Sequence, residues 1–567
     1  MKSKLWVFRQ CDPFHRASLA QALSISSATA ALLLARGVTT PDEAANWMSH
    51  QAPHDPFLIP DMELAVERLR RAVGAQELIC FYGDYDVDGM SATALYLAFF
   101  ASLGANVRGY VPHRKREGYG LNAAAVQRLH DEGVSLLVTS DCGTTSHREI
   151  GLAKELGLDV IVTDHHQTGE DMPPAVAVMN PHRAGARYPF LGLCSAGLAY
   201  KVVQAYRLRY GDQGLPLESL LDLVALATIA DVVPLQDENR GFVREGLAQI
   251  SRGARCGIRA LKQVAGITRD CVPETIAFKL APRLNAAGRL DHAMLGVQLL
   301  TTESPAEAQR LAERLEELNR ERQKIEADVM SEALDAINEE ELPAALVLAS
   351  RRWHVGVVGI AAARLVDRFH RPAVVIAIDE LGVGKGSART VGGFDLYQGL
   401  AACQDLLEAF GGHPSAAGVT VREARLEEFR HRFAAVVSAW TRGAAAVPTL
   451  HLDAEVQLSE VTAKLIKEIG AFHPFGAGNP EPIFAVRGLE VMESRTVAEK
   501  HLKMTVRQGR SIPFDSIGFG MRSLFERGIP ARTPVDLAFL PELNRWNGYD
   551  RIQLRIRDLR ISDRGTA

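Results

Sequence analysis

The sequence contains no C-x-x-C pair: its seven cysteines, at positions 11, 80, 142, 194, 256, 271 and 403, are an odd number scattered along 567 residues. That pattern excludes a zinc ribbon and offers no disulfide framework, so each cysteine is read as a small buried hydrophobe. Long apolar runs are missing as well. No stretch reaches the roughly 18 uninterrupted apolar residues of a membrane helix, and the opening MKSKLWVFRQCDPF lacks the apolar core, about 7 to 15 residues, of a secretory leader. A cytoplasmic protein without a membrane is the expectation. Basic charge is not in excess either, since 64 Lys and Arg against 68 Asp and Glu leave a formal charge of -4. Nucleic-acid-binding domains are commonly basic, so any phosphate-binding surface has to be local. There is no low-complexity tract, and 47% hydrophobic with 23% charged residues is the composition of a folded globular chain.

What is present is long enough for about three domains. Residues 1–72 read as a helical region packed on the catalytic domain, with Thr40-Pro41-Asp42 supplying a cap, a proline at the first helical position and an acid in the first turn. From 73 to 304, short apolar runs (ELICFYG, NVRGYVP, SLLVTS, DVIVTD, AVAVMNP) alternate with helix-like stretches, the pattern of a parallel α/β sheet. Residues 305–342 place Leu311, Leu315, Leu318, Ile325 and Val329 at helical spacing among many charges, which predicts one long connecting helix of roughly 50 Å. A second α/β unit is expected over 343–442. Short strands with turn signals over 449–567 predict a small β-barrel of the oligonucleotide-binding kind.

Four elements with acidic or imidazole groups fall at or just after strand ends of the first α/β domain. They are Asp84, Asp86 and Asp88 in GDYDVDG, Asp141 in TSDCGTT, Asp164-His165-His166 in VTDHHQ, and Asp231 in ATIADVVPL. Each alone has a plainer explanation: a turn, a helix cap, a packed surface pair. The D-x-D-x-D spacing resembles a calcium loop but lacks its downstream glutamate. Together, in one α/β domain, they fall where such sheets build their sites. Oxygen and imidazole donors without thiolates suit Mn²⁺ or Mg²⁺, and two such ions can drive an in-line displacement at phosphorus.

DYDVDG, SDCGTT, TDHH and ATIADVVPL resemble, in order and spacing, the four motifs of the DHH phosphoesterase superfamily. DPFLIPDMELAVERL, APRLNAAGRLDHA, GKGSARTVGGFDL, FGGHPSAAG and HPFGAGNPEPIF further resemble the RecJ family of bacterial single-strand-specific exonucleases, across nearly the whole chain. The resemblance implies an α/β fold of the DHH type, a DHH-associated α/β domain joined by the long helix, and an OB-like barrel. It implies that Asp86 holds one ion, that Asp88, His165 and Asp231 hold the other, that Asp141 bridges them, and that His166 contacts the scissile phosphate. Small-molecule members often carry a histidine four positions before the second aspartate, where this chain has Tyr82; Asp84 is the candidate substitute ligand. Asp164 is expected to orient a histidine.

The same resemblance makes Gly411, Gly412 and His413 a substrate-binding loop facing the metals. Ser387 and Arg389, two apart on an extended segment, suit a terminal 5′ phosphate; an ordinary surface strand is the rival. Arg114, Lys115 and Arg116 follow a strand and can track a backbone, although a solvated charge run also explains the last two. Arg283, Asn285 and Arg289 are favoured as substrate or site-ordering residues. From Arg487 to Arg564 there are 15 Lys or Arg against 10 Asp or Glu, with Phe514, Trp546 and Tyr549 as candidate stacking groups. The expected activity is a 5′ to 3′ exonuclease releasing mononucleotides from single-stranded DNA in recombination and repair. A monomer is expected, with a single-strand-binding protein and a recombination helicase as partners. Two other readings remain: a phosphodiesterase of short nucleotides, and a replication scaffold that has lost its ligands.

Overall fold

The computed structural model describes residues 4–48, 53–114, 116–211, 214–441, 448–524, 529–546 and 549–562. The chain begins with a strand, β1 (Leu5–Phe8), that pairs in parallel with residues 449–452 near the far end of the sequence. Helices Pro13–Leu23, Ser27–Leu34 and Pro41–Met48 follow, the last capped by Thr40 and Glu43 as its sequence requires. Their apolar faces are covered mainly by the C-terminal domain, which narrows the expectation for residues 1–72; toward the catalytic unit, Arg240 donates to Trp47 O and stands over the Trp47 ring at 3.9 Å. Leu19, Leu32, Leu33, Val38 and Ala44 share one core with Leu465, Ile469 and Phe472 of the C-terminal domain. Glu468 of that domain also caps helix Ser27–Leu34, accepting from Ser26 N at 3.1 Å and Ser26 Oγ at 2.6 Å. A local pattern reveals an apolar helix face but not which of two domains covers it. From His54 onward the chain belongs to the catalytic unit, where helix Met62–Gly74 lies in its core.

That unit holds five parallel strands, β2 (Ile79–Gly83), β3 (Val107–Tyr110), β4 (Leu136–Ser140), β5 (Asp159–Thr163) and β6 (Ala177–Met179), in the order β3-β2-β4-β5-β6. Strands β2 and β4 are buried throughout, because helices cover both faces, and this is why they read as unbroken apolar runs. Phe81 of β2 stacks on Tyr96 and Phe100 of helix Val87–Ser102 at 4.9 and 5.5 Å. Each such buried ring contributes about 1.5–3 kcal/mol and fixes that helix, which begins inside the aspartate motif. The winding reverses between β2 and β4, so the crevice at their C-terminal ends is the ligand position of such a sheet.

The connecting helix is continuous over Pro305–Asp335, capped by Ser304. Leu311, Leu315 and Leu318 belong to the catalytic core, whereas Val329 and Ala333 belong to the core of the second α/β domain. One rigid rod is thus shared by both. The second domain is a mixed sheet of β7 (Leu346–Ser350), β8 (Ala373–Ile378), β9 (Val383–Arg389), β10 (Ala409–His413) and β11 (Ala416–Arg422), ordered β10-β11-β9-β8-β7. In the third, strand Phe484–Val497 pairs with both strand His501–Arg507 and strand Pro534–Trp546, which closes the six strands from Ala454 to Ile561 into a barrel. Phe514 lies inside it, 6% exposed, and so is a core residue, not a stacking group. The side chains of Trp546 and Tyr549, and Lys115, lie outside the described residues.

Candidate metal centre and phosphate cleft

The motif GDYDVDG is a turn that only its glycines allow. A Cβ on Gly83 would stand 2.2 Å from Thr93 Oγ1, and one on Gly89 would stand 2.4 Å from the backbone nitrogen of Asp84. The tight turn lets Asp86 cap helix Val87–Ser102, its Oδ1 accepting from Asp88 N at 2.9 Å and Gly89 N at 3.2 Å. Asp88, in the first turn, is fully buried. Its two oxygens accept from Ser195 N (2.7 Å) and Ala196 N (2.8 Å), at the start of helix Ser195–Tyr210. That helix start also brings Ser195 Oγ to Asp141 Oδ1 at 3.2 Å.

Asp141 follows β4 with φ of +67°, a conformation costly for a residue with a side chain and tolerated best by Asp and Asn. His165 Nε2 faces three carboxylates: Asp141 at 3.1 Å, Asp231 at 3.6 Å and Asp88 at 3.8 Å. Asp231 ends helix Leu221–Ala230. Three sets of donor atoms each lie within 4.8 Å of one another: Asp84, Asp86 and Asp141; Asp88, His165 and Asp231; and Asp141, His165 and His166. All six expected ligands therefore converge, in two groups joined through Asp141.

Asp164 is not among those sets. Its Oδ1 accepts from the His165 and His166 backbone and holds His166 Nδ1 at 2.7 Å, while Oδ2 accepts from Thr144 N. Burial pushes the Asp164 carboxyl up, but the His166 contact outweighs it and the group stays well below its ordinary value. Burial likewise opposes charge on His166, yet the Asp164 hydrogen bond prevails and raises its pKa to about 9. His165 moves the other way, to about 4, through burial and its neighbour His166. It is the neutral imidazole a metal requires.

The carboxylates resist ionisation. Burial first, then Asp86, raises Asp84 well above its ordinary range and takes Asp88 to about 6; burial with Asp88 and Asp86 takes Asp231 to about 8. Asp141 is raised by burial and by all four neighbouring aspartates. Asp84 Oδ1 is buried with no hydrogen-bond partner. An orphaned carboxylate oxygen, a neutral imidazole and crowded acids are what divalent cations satisfy, so the residues fit the Mn²⁺ or Mg²⁺ expected of them.

Across the cleft, His413 at the end of β10 lies with its ring 6.4 Å from that of His166 and 14° from parallel, so the GGH segment does face the centre. Beside it is a cavity of about 590 Å³ lined by Arg114, Arg289, Ser387, Arg389 and Gly412. Among the described residues no acid lines it. Arg389 donates to Ser387 Oγ at 2.8 Å and Arg289 to Gly356 O at 2.8 Å. Burial, then the charges of Arg114, Arg322 and Arg389, lower Arg289 to about 10, and burial with Arg114 lowers Arg389. Three mutually repelling cations around a cavity with no lining acid make a positive potential that favours an anion.

Gly411 is an exposed neighbour on the same strand, and Asn285 is half-buried on helix Ala281–Leu290. Arg283 is drawn elsewhere, into an ion pair with Glu316 of the connecting helix at 2.6 Å. The sequence reading missed two contributors. Gly356 and Gly359 line the cavity at the start of helix Val358–Phe369, whose first N–H groups have no side-chain cap; G-V-V-G between a strand and a helix was the available signal. Tyr119 donates to Asp141 O at 3.0 Å and stands 3.5 Å from His166 Nε2. Nothing in its local sequence marks it.

The chain is similar along its length to known proteins. Family models match in three places: the DHH family N-terminal domain over residues 78–228, the DHHA1 domain over 342–439 and the RecJ OB domain over 452–558. The single-stranded-DNA-specific exonuclease RecJ of Bacillus subtilis is 38% identical over 565 residues, spanning 98% of this chain and 71% of that one. The protein of the same name from Escherichia coli is 36% identical over 554 residues, spanning 93% and 94%. Among solved structures, RecJ of Thermus thermophilus in complex with Mn²⁺ superposes with a TM-score of 0.85 at 30% identity, covering 99% of this chain and 80% of that one. Its complex with Mg²⁺ gives 0.79 at 28% identity, covering 99% and 79%.

Proposed function

The chain belongs to the RecJ family of single-stranded-DNA-specific exonucleases, and from that premise we propose that it digests single strands from the 5′ end, releasing 5′ mononucleotides. It is a metal-dependent phosphodiesterase acting on single-stranded DNA in recombination and repair, with Mn²⁺ or Mg²⁺ as cofactor. The observation that carries the polarity is the arginine cavity beside the acidic cluster. A terminal 5′ phosphate held by Arg114, Arg289, Ser387 and Arg389 would anchor the strand beside the carboxylates, with the phosphodiester that follows it open to attack.

Asp84, Asp86 and Asp141 would hold one ion, and Asp88, His165 and Asp231 the other, with Asp141 shared. Bound there, two divalent cations supply an activated water and offset the charge on both oxygens of an in-line displacement. The protein's own groups do the rest. Protonated His166, locked by Asp164, offers its Nε2 hydrogen to a phosphate oxygen, and His413 closes on the same phosphate from the second domain. With water as the nucleophile, hydrolysis proceeds without a covalent enzyme intermediate. Among the described residues no single helix is long and apolar enough to cross a membrane. With DNA as substrate, we place the enzyme in the cytoplasm as a monomer, working with a single-strand-binding protein and a recombination helicase.

The test is product analysis on single strands labelled at one end or the other, with Mn²⁺ and Mg²⁺ compared. A 5′-labelled strand should release its label at once as a mononucleotide, while a 3′-labelled strand shortens progressively. Immediate release of a 3′ label would overturn the polarity; digestion of dinucleotides with a 5′-phosphorylated 40-mer left intact would overturn the substrate class.

A further inference from the structure

The motif HPFGAGNPEPIF opens the barrel domain, yet part of it lies against the chain leaving the metal centre. The carboxylates of Asp86, Asp88 and Asp141 are each held by hydrogen bonds from the protein. Among the described residues, Asp231 accepts none at its carboxylate, and His165 Nε2 stands 3.6 Å from it. Its position is therefore set by its backbone. That backbone leaves the helix through Val232, a β-branched residue at φ of +59° and 70% exposed. Such a residue avoids the left-handed region, so the turn persists only if the chain after it is held.

The barrel domain holds it. Leu235 N donates to Ala477 O at 2.7 Å, and Gln236 Nε2 donates to Gly478 O at 2.9 Å. A Cβ on Gly476 would stand 2.7 Å from Leu235 Cδ1, and one on Gly478, whose φ is +69°, would stand 3.0 Å from Pro234 Cβ. These glycines are there so that two domains can touch backbone to backbone. The loop is itself stiff: Gly476 and Asn479 exchange backbone hydrogen bonds at 2.9 and 3.2 Å, and Asn479 Nδ2 donates to Phe472 O and Pro474 O. Arg36 from the N-terminal helices donates to Asn479 Oδ1 at 2.8 Å.

We propose that Gly476, Ala477 and Gly478 are positioning residues for the metal centre: the barrel domain, besides meeting DNA, fixes Asp231 and so sets the affinity of the ion shared by Asp88, His165 and Asp231. This rests on the metal assignment above. Outer contacts that orient a ligand typically change metal affinity about 10- to 100-fold.

The full chain is titrated with Mn²⁺ in the absence of DNA, following free Mn²⁺ by electron paramagnetic resonance. Gly476→Val pushes on Leu235, Leu235→Ala removes the contact, and Gln236→Ala, at an exposed position, removes one hydrogen bond without threatening the fold. The first two should weaken one of the two ions about tenfold and leave the other unchanged, with Gln236→Ala smaller in the same direction and Leu235→Met near the parent. The Mn²⁺ concentration for half-maximal activity should rise while KM for DNA at saturating Mn²⁺ stays the same. Val506→Ala, a barrel-core change, controls for lost stability and should leave both ions alone. Unaltered Mn²⁺ binding in all three loop variants would overturn the proposal while leaving the nuclease assignment standing. A parent chain that bound no Mn²⁺ would instead remove the metal reading beneath it.

Discussion

Replacing Asp231 by Asn should stabilise the metal-free protein and destabilise the metal-bound one. Burial, with Asp88 and Asp86, moves the Asp231 carboxyl from its ordinary 3.8 to about 8. Each tenfold change in proton affinity is worth about 1.36 kcal/mol, so ionising this group in the metal-free fold costs on the order of 5 kcal/mol. Part of that is desolvation that an amide also feels, and part is shared with neighbours, so the substitution should recover roughly 2 to 4 kcal/mol. The folded-state pKa lies above the unfolded one. The metal-free fold is therefore unpenalised below about pH 4 and loses stability as pH rises toward 8. The assay is thermal unfolding of the catalytic unit in EDTA across that range, then with Mn²⁺. At pH 8 without metal the variant should melt about 5–10 °C above the parent, and near pH 4 the two should coincide. With Mn²⁺ at about 1,000 times its dissociation constant, the ion that Asp231 helps to hold stabilises the parent by about 4.1 kcal/mol; the variant largely loses that gain, which matches or exceeds its metal-free advantage, so the order inverts. A variant that melts below the parent in EDTA at pH 8 would refute the reasoning.

The pH dependence of metal binding follows from the same groups: Mn²⁺ affinity, read by calorimetry, should fall by roughly tenfold per pH unit below pH 8, as Asp231 and then Asp88 retain protons, while His165, pushed to about 4, takes no part in that range. His166→Gln should lower kcat about 10²- to 10³-fold with KM for DNA changed only a few fold, since a charged donor to the phosphate is lost and the pocket is not; single-turnover kinetics on a labelled strand would measure it, and an unchanged kcat would remove His166 from the chemistry. Arg389→Ala should raise KM for a 5′-phosphorylated strand about 10- to 100-fold and leave a 5′-hydroxyl strand unaffected. Equal losses on both would mean that the cavity binds something other than the terminal phosphate.

The candidate metal centre was legible because most of its residues sit in short motifs at strand ends, where a parallel sheet converges its C-terminal edges whatever the intervening loops do; Asp231, expected after a strand, instead ends helix Leu221–Ala230. Asp84, Asp86, Asp88, Asp141, His165 and Asp231 need only the topology to meet. Ser387 and Arg389 were legible for a similar reason, their alternation on β9 pointing both to one face. Arg283 was not, because its partner Glu316 lies on the connecting helix and an ion pair between distant segments leaves no local trace. Tyr119 and the start of helix Val358–Phe369 escaped because backbone donors and a lone tyrosine carry no spacing signature. The N-terminal helices were legible as helices but not their main neighbour, since an apolar face states that it is covered without naming the cover: Leu19, Leu32 and Leu33 join the C-terminal core, and Trp47 also meets Arg240 of the catalytic unit.

The pairing of β1 with residues 449–452 bears on how the chain is born. Leu5 lies opposite Thr449, so the partners of the first helices are made about 440 residues later. At about 5–20 residues per second a ribosome needs roughly 20 to 90 seconds to cross that interval. During it the catalytic and second α/β domains can fold on largely local contacts, while Leu19, Leu32 and Leu33 wait with their apolar faces bare. Residues 5–48 and the barrel domain from residue 449 onward form a single late-closing unit, and the step most exposed to aggregation or to chaperone capture is their union.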